Sequence, residues 1–288
     1  MASPSEIKIH HQTAYPAISP KRPELSTKGK RAFVTGGGSG IGSAIATSFA
    51  QSGITHLGLL GRNEKSLLKT KAEIEKINPA TTVWTYAVDL VGASATQSAI
   101  AEFAASTEGK IDILVANAGY MPELSSVTDA DLEDWWKSFE ISVKGNFNLL
   151  RAFRPHAAEQ ATVLHISTAA IHLPYMQGYS GYRSSKIAAW KLFDYFHHEN
   201  PDLVLIHVHP GLIGGTAMGD KVSISVKELG LVYDDISLPG DFAVWAASEE
   251  AKFLNGRLVW ATWDVSELQG MKAAIAEDET KLTVGLFV

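Results

Sequence analysis

The chain has 288 residues, 45% hydrophobic and 19% charged, with a formal net charge of −6. That balance excludes a disordered polymer and a basic nucleic-acid binder, and no apolar run approaches the roughly 18 residues of a membrane span. Cysteine is absent, which removes disulfides, thiolate-held metals and a thiol nucleophile and leads us to expect a cytoplasmic protein.

Residues 1–28 carry Pro4, Pro16, Pro20 and Pro23 without sustained periodicity, so they predict an extended arm laid on a surface, or one partly disordered. The stretch MASPSEIKIHHQTAYP lacks the apolar core of a secretory signal. From there strands and helices alternate. Strands are predicted at Arg31–Thr35, Thr55–Gly61, Thr82–Val88, Ile111–Ala116, Thr162–Ser167, Leu203–His209 and Arg257–Trp260. Helices are predicted at Ile41–Gln51, Glu64–Ile77, about 94–107, about 129–153 and about 179–199. Strands that are nearly continuous apolar runs are buried on both faces, as in a parallel sheet flanked by helices. The fold class is therefore α/β, one doubly wound domain over residues 29–288.

Between the first strand and first helix lies Thr35-Gly36-Gly37-Gly38-Ser39-Gly40-Ile41-Gly42. Glycine suits a turn that side chains resist, and it lets a pyrophosphate approach the uncapped amides of a helix. The second strand ends Gly61-Arg62-Asn63. A dinucleotide site usually carries an acidic residue here for a ribose hydroxyl; an arginine instead suits a 2′-phosphate, so Arg62 favours NADP(H) over NAD(H).

Tyr182 and Lys186 stand four residues apart on a predicted helix and share one face. An ammonium about 4 Å from a phenol, at an effective dielectric near 20, favours the phenolate by about 4 kcal/mol. That is worth up to about three pKa units and would let the pair exchange a proton with a carbonyl or alcohol near neutrality. Tyr175 and Tyr179 lack such a lysine and read as packing or substrate contacts. His10-His11 and His197-His198 have no acidic partner at ligand spacing, so no metal site is expected.

TGGGSGIG at 35–42, Asn117-Ala118-Gly119 and YRSSK at 182–186 occur in the order seen in the short-chain dehydrogenase/reductase family, and residues 30 to about 265 resemble its single-domain, Rossmann-type branch. The proline-bearing arm resembles that of fungal members. The resemblance implies a pyrophosphate turn at Gly36, Gly40 and Gly42, with Ser39 and Ile41 between them, and an adenine contact at Asp89-Leu90. It implies that Asn117, Ala118 and Gly119 border the adenosine ribose, and that Pro210, Gly211, Ile213 and Thr216 close over the nicotinamide. Tyr182 becomes the acid/base, and Lys186 the residue that tunes it and holds the nicotinamide ribose. A variable substrate lid corresponds to about 214–238; its Ile213, Ala217, Met218, Ile224 and Leu231 suggest an apolar small-molecule carbonyl or alcohol.

Two positions depart from the family pattern. Thr168 stands where a catalytic serine is usual, with Ser167 able to substitute. Ser142, seven residues after Trp135, stands where an asparagine supports a water relay; Asn146 lies one turn on, either compensating or merely facing solvent or packing. These departures keep open a non-redox reading, as an isomerase, dehydratase or cyclase, or a cofactor-bound regulatory protein. A structural module with a vestigial site is the third reading, opposed by the intact Tyr182/Lys186 pair. Trp190 and Phe193 read as an outer apolar stripe on the Tyr182 helix. Together with the family's habit of pairing this helix, the stripe predicts a homodimer or homotetramer.

Overall fold

The computed structural model describes residues 7–222, 226–227 and 230–285. Seven strands form one sheet: β1 (Arg31–Thr35), β2 (His56–Gly61), β3 (Thr82–Ala87), β4 (Ile111–Ala116), β5 (Ala157–Ile166), β6 (Val204–His209) and β7 (Leu258–Trp260). Their order is β3-β2-β1-β4-β5-β6-β7, and every neighbouring pair is parallel. Successive side chains leave a strand on opposite faces. Val34, Val115, Leu164 and Val208 enter one core, with Ile45 and Phe49 of α1 (Gly40–Gln51) and Leu67 of α2 (Glu64–Ile77). Phe33, Leu114, Val163 and Leu205 enter the other, against Phe103 of α3 (Ala93–Ser106).

The helix predicted over 129–153 is three pieces: α4 (Leu132–Phe139), a π turn over Glu140–Gly145, and α5 (Asn146–Phe153). Asp131 starts α4 by accepting the Asp134 amide at 2.8 Å. The wide turn inserts one residue, a shift that apolar spacing does not register. Asn146 does not face solvent. It is buried, and its Nδ2 donates to the Ser142 carbonyl at 2.7 Å. β5 begins five residues before its predicted start, through an irregular stretch that contains Gln160 at φ +54°. Its regular pairing with β4 starts at Thr162, as the apolar run requires.

The apolar stripe expected on the outside of α6 (Ser180–Glu199) faces inward instead. Trp190 is 3% exposed and Phe193 fully buried. The reason lies in the strands beneath. β5 and β6 present His165 and His207 at these positions, and Phe193 stacks on His165 at 4.1 Å while Trp190 lies 5.4 Å from His207. What α6 exposes is Ile187 and Tyr195.

Within the N-terminal stretch, Ile7, Ile18 and Leu25 belong to the main core. Arg22 forms a forked pair with Glu250, at 2.6 and 3.2 Å, and Glu250 also accepts Trp245 Nε1. After β6 the chain leaves the body at Ile213, forms α7 (Ala217–Lys221) and returns at Asp234, which bridges back to Ile213. α8 (Ser237–Ala246) follows and packs on α1, and α9 (Val265–Gly270) follows β7. Ile224, expected in the lid, lies outside the described residues. No helix among the described residues is long and apolar enough to cross a membrane.

The buried imidazoles make the fold acid-sensitive. His165 and His207 share one hydrogen bond, Nδ1 to Nδ1 at 2.9 Å, which requires one donor and one acceptor, so the accepting ring is neutral. Burial pushes the pKa of His207 and of His209 down to about 3, and that of His165 well below the ordinary value. Between pH 3 and 6.5 the unfolded chain therefore binds more protons at these sites. Their stabilising contribution is complete above pH 6.5 and is lost as the pH falls, by up to ~1.4 kcal/mol per pH unit for each group. Thermal melts at pH 7, 5 and 4 should show a falling Tm, with a shallower slope in His209→Leu. A variant slope equal to that of the wild type would refute this.

Candidate active site

In an open α/β sheet the crevice lies where the strand order reverses, here between β1 and β4. Thr35, the last residue of β1, holds the two strand ends. Its Oγ1 donates to the Val115 carbonyl at 3.3 Å and accepts the amides of Asn117 and Ala118 at 3.0 and 3.1 Å. Asn117 Nδ2 donates back to the Thr35 carbonyl at 3.0 Å. A cleft of about 450 Å³ opens above this knot.

Gly36, Ser39, Gly40 and Ile41 form one wall of that cleft, and Asn117, Ala118 and Gly119 another. Gly36 and Gly40 have φ of +68° and +53°, where a side chain is strained. Ser39 makes no capping bond, so the first amides of α1 have no side-chain partner there. Gly42 is not on the wall but behind it; a Cβ there would lie 2.2 Å from the Gly36 carbonyl oxygen and 2.6 Å from Asn117 Nδ2. Toward β2 and β3 the cleft is lined by Arg62, Asn63 and Ser66, then by Asp89 and Leu90. Arg62 is exposed and, among the described residues, has no carboxylate partner. A glycine backbone, uncapped helix amides and an unpaired guanidinium fit a phosphate-bearing dinucleotide.

At the other end of the cleft stand Tyr182, Lys186 and Ser167. Tyr182 and Lys186 are both buried on one face of α6, yet the expected charge effect of lysine on phenol is not the dominant one. Burial pushes the Tyr182 phenol up to about 12, and only a hydrogen bond from Thr168 pulls it back. Burial likewise lowers Lys186 to about 8. Its Nζ donates to the Ile166 carbonyl at 2.9 Å, tying α6 to the end of β5. Dehydrating each group disfavours its charged form, and this outweighs their attraction across one helical turn.

Thr168 faces the phenol from outside the cleft wall, whereas Ser167 is on the wall and its buried Oγ has no partner. The structure therefore brings both hydroxyls to the site. Ser142 is fully buried off the wall, and its Oγ too is unpartnered. Pro210 and Thr216 line the cleft. Gly211 and Ile213 do not; they sit at the base of the lid, Gly211 at φ +95°.

α7 spans the mouth of the cleft. Thr216 caps it by accepting the Gly219 amide at 2.9 Å, and its methyl lies 3.2 Å from where a Gly40 Cβ would be. At the far end Lys221 Nζ donates to the Met121 carbonyl at 2.9 Å and pairs with Glu123 at 2.6 Å. Beneath it Met121, Tyr179, Tyr182 and Val222 form an apolar cluster, joined by Met176, Met218, Leu231 and Tyr233. Tyr120, Met121 and Lys221 were missed in the sequence. For Tyr120 and Met121 the only signal was adjacency to Asn117-Ala118-Gly119; Lys221 had none.

The family profile described as short chain dehydrogenase matches residues 30–226. Among relatives, a short chain dehydrogenase/reductase, nsrO, of Aspergillus novofumigatus is 32% identical over 299 residues, covering 100% of this chain and 98% of its own. A dehydrogenase/reductase from Sinorhizobium meliloti superposes with TM-score 0.74 at 26% identity, over 83% of this chain and 95% of its own. A short chain dehydrogenase from Burkholderia cenocepacia, in complex with NADP, superposes with TM-score 0.73 at 22% identity, over 83% and 99%.

Gly42→Ala should force the Gly36 carbonyl or Asn117 to move, costing about 1–3 kcal/mol by overpacking. Gly270→Ala, with nothing within 4 Å of the added methyl, is the control. A Tm drop in the first and none in the second is expected; equal melts would show that the turn tolerates the methyl.

Proposed function

As the chain belongs to the short-chain dehydrogenase/reductase family, whose members interconvert C=O and CH–OH, we propose that it is an NADPH-dependent reductase of neutral, apolar carbonyl compounds. One observation carries this reading: the buried Tyr182 phenol, held by Thr168, shares the cleft wall with Lys186 beside a glycine turn suited to a dinucleotide.

When bound, the nicotinamide supplies the hydride. Tyr182 does the proton chemistry. A phenol with a pKa near 12 is protonated at pH 7, so Oη is a donor for a carbonyl oxygen that is becoming an alkoxide. Thr168 donates to the phenol oxygen and so eases the loss of its proton, while Ser167 Oγ is free to hold the substrate oxygen. Lys186 lines the same wall one helical turn away and ties α6 to the end of β5 through the Ile166 carbonyl.

The preference for NADPH rests on Arg62, an unpaired cation suited to a 2′-phosphate, and on Gly61 where an acidic side chain would grip a ribose hydroxyl. Fold likeness does not enter this argument, because the sheet serves either nucleotide. The neutral substrate follows from the charges around the apolar cluster. Arg183 donates to the carbonyls of Leu173 and Pro174, and Lys221 is tied to Glu123, so neither is available for a carboxylate. Homodimers or homotetramers are part of the same proposal. In place of Trp190 and Phe193, the support comes from exposed Trp136 on α4, Phe147 on α5 and Tyr195 on α6.

Titration by energy transfer from tryptophan to reduced nicotinamide tests the nucleotide. Arg62→Leu should weaken NADPH about tenfold, the equivalent of ~1.4 kcal/mol, and leave NADH unchanged. Wild-type protein that binds NADH as tightly as NADPH overturns the preference. Tyr182→Phe should retain NADPH binding and lose about 10²–10⁴ in turnover; undiminished turnover would remove Tyr182 from the mechanism.

A further inference from the structure

The lid is a loop pinned at its base by one reciprocal contact. Leu212 N donates to Asp234 Oδ2 at 2.8 Å, and Asp234 N donates to the Leu212 carbonyl at 2.8 Å. Next to it, Gly211 adopts φ +95°, and a Cβ there would lie 2.7 Å from Asp234 Oδ2. The carboxylate thus fills the space left by the missing side chain. Ile213 and Asp234 pair as a parallel bridge, and the Tyr233 ring covers Gly214, whose Cβ would lie 2.8 Å from Cγ of that ring. The following residue is tied elsewhere: Asp235 N donates to the Gln12 carbonyl in the N-terminal stretch at 2.7 Å.

Asp234 is half-buried and, among the described residues, has no cationic partner. Dehydrating a carboxylate for a single backbone bond, from Leu212 N, is costly, and a shorter, apolar residue would leave only the main-chain bridge. The carboxylate itself does not line the cleft, whereas Pro210 and Thr216, on either side of the segment it holds, do.

We propose that Asp234 is a positioning residue for the nicotinamide end of the cofactor site, acting through Gly211 and Leu212 to hold the segment from Pro210 to Thr216 at its height over the cleft. The inference rests on the reading of the cleft as a nicotinamide dinucleotide site. It assigns Asp234 no contact with substrate or cofactor. The far end of α7 is held separately by Lys221, on the Met121 carbonyl and Glu123, so losing the Asp234 contact loosens the segment at its base. Only the half of the nucleotide beneath that segment should notice; the adenosine half, against Arg62 and Asp89, should not.

The test compares full-length wild type, Asp234→Ala and Asp234→Asn, with affinities measured by calorimetry. The ligands are NADPH, NADH, and the fragments ADP-ribose and 2′-phospho-ADP-ribose, which lack the nicotinamide. Asp234→Ala should weaken the preferred dinucleotide about tenfold while its matching fragment binds within twofold of wild type. Asp234→Asn keeps an oxygen acceptor for Leu212 N and should restore affinity to within about threefold. Unchanged dinucleotide binding in Asp234→Ala overturns the proposal. So does equal weakening of dinucleotide and fragment, the mark of a general structural defect. So does Asp234→Asn behaving as badly as Asp234→Ala. If wild type binds neither dinucleotide, the cofactor reading itself has failed and the clasp falls with it. If wild type binds and Asp234→Ala matches it, the clasp alone is wrong.

Discussion

The hydroxyl of Thr35 is the point on which the site depends. It takes two amides and gives one proton at the place where the sheet parts, so β1 and β4 end at one height. The glycine turn leaves from one of those ends and the Asn117 segment from the other. Neither wall is positioned by its own loop; both inherit their position from paired strands, which is why a crevice of this kind is rigid. A valine at this position would keep the β-branched shape and lose all three bonds.

Burial governs the chemistry of the opposite end. A lysine and a tyrosine at four-residue spacing suggest mutual charge stabilisation, but that argument omits the water both must shed. With the phenol pushed up and the amine pushed down, the pair is closer to neutrality than the spacing alone predicts. The hydrogen bond from Thr168 then matters more, because it is the influence favouring the phenolate that survives dehydration. On the proposed mechanism a threonine serves at this position, because its hydroxyl supplies that bond.

Local patterns carried the fold. Apolar runs punctuated by glycine and proline gave β1, β4 and α2 to the residue, and the glycine turn and the Tyr182/Lys186 pair were legible because their spacing is itself their mechanism. What escaped was of two kinds. The π turn at Glu140–Gly145 changes helix phase by one residue, below the resolution of periodicity. Trp190 and Phe193 read as more apolar surface than one face of a monomer needs, whereas they cover two buried histidines, His165 and His207, that underlie that helix. The second kind is long-range. Lys221 meets Met121 across 100 residues, and Asp234 meets Leu212 across 22, with no repeat or motif to announce either contact.

The N-terminal segment has a consequence for how the protein is made. Lys8 and Ile9 donate to Glu267, His11 pairs with Asp264, and Tyr15 bonds Trp263 and Val265, partners some 250 residues downstream. These contacts therefore cannot form until residues 263–267 have been made. Ile7 and Tyr15 also pack against the main core, and Tyr15 stacks on His11 at 3.5 Å. Contacts of this separation slow the final step of folding. Closure of residues 8–15 onto residues 263–267 is thus a long-range step of the fold.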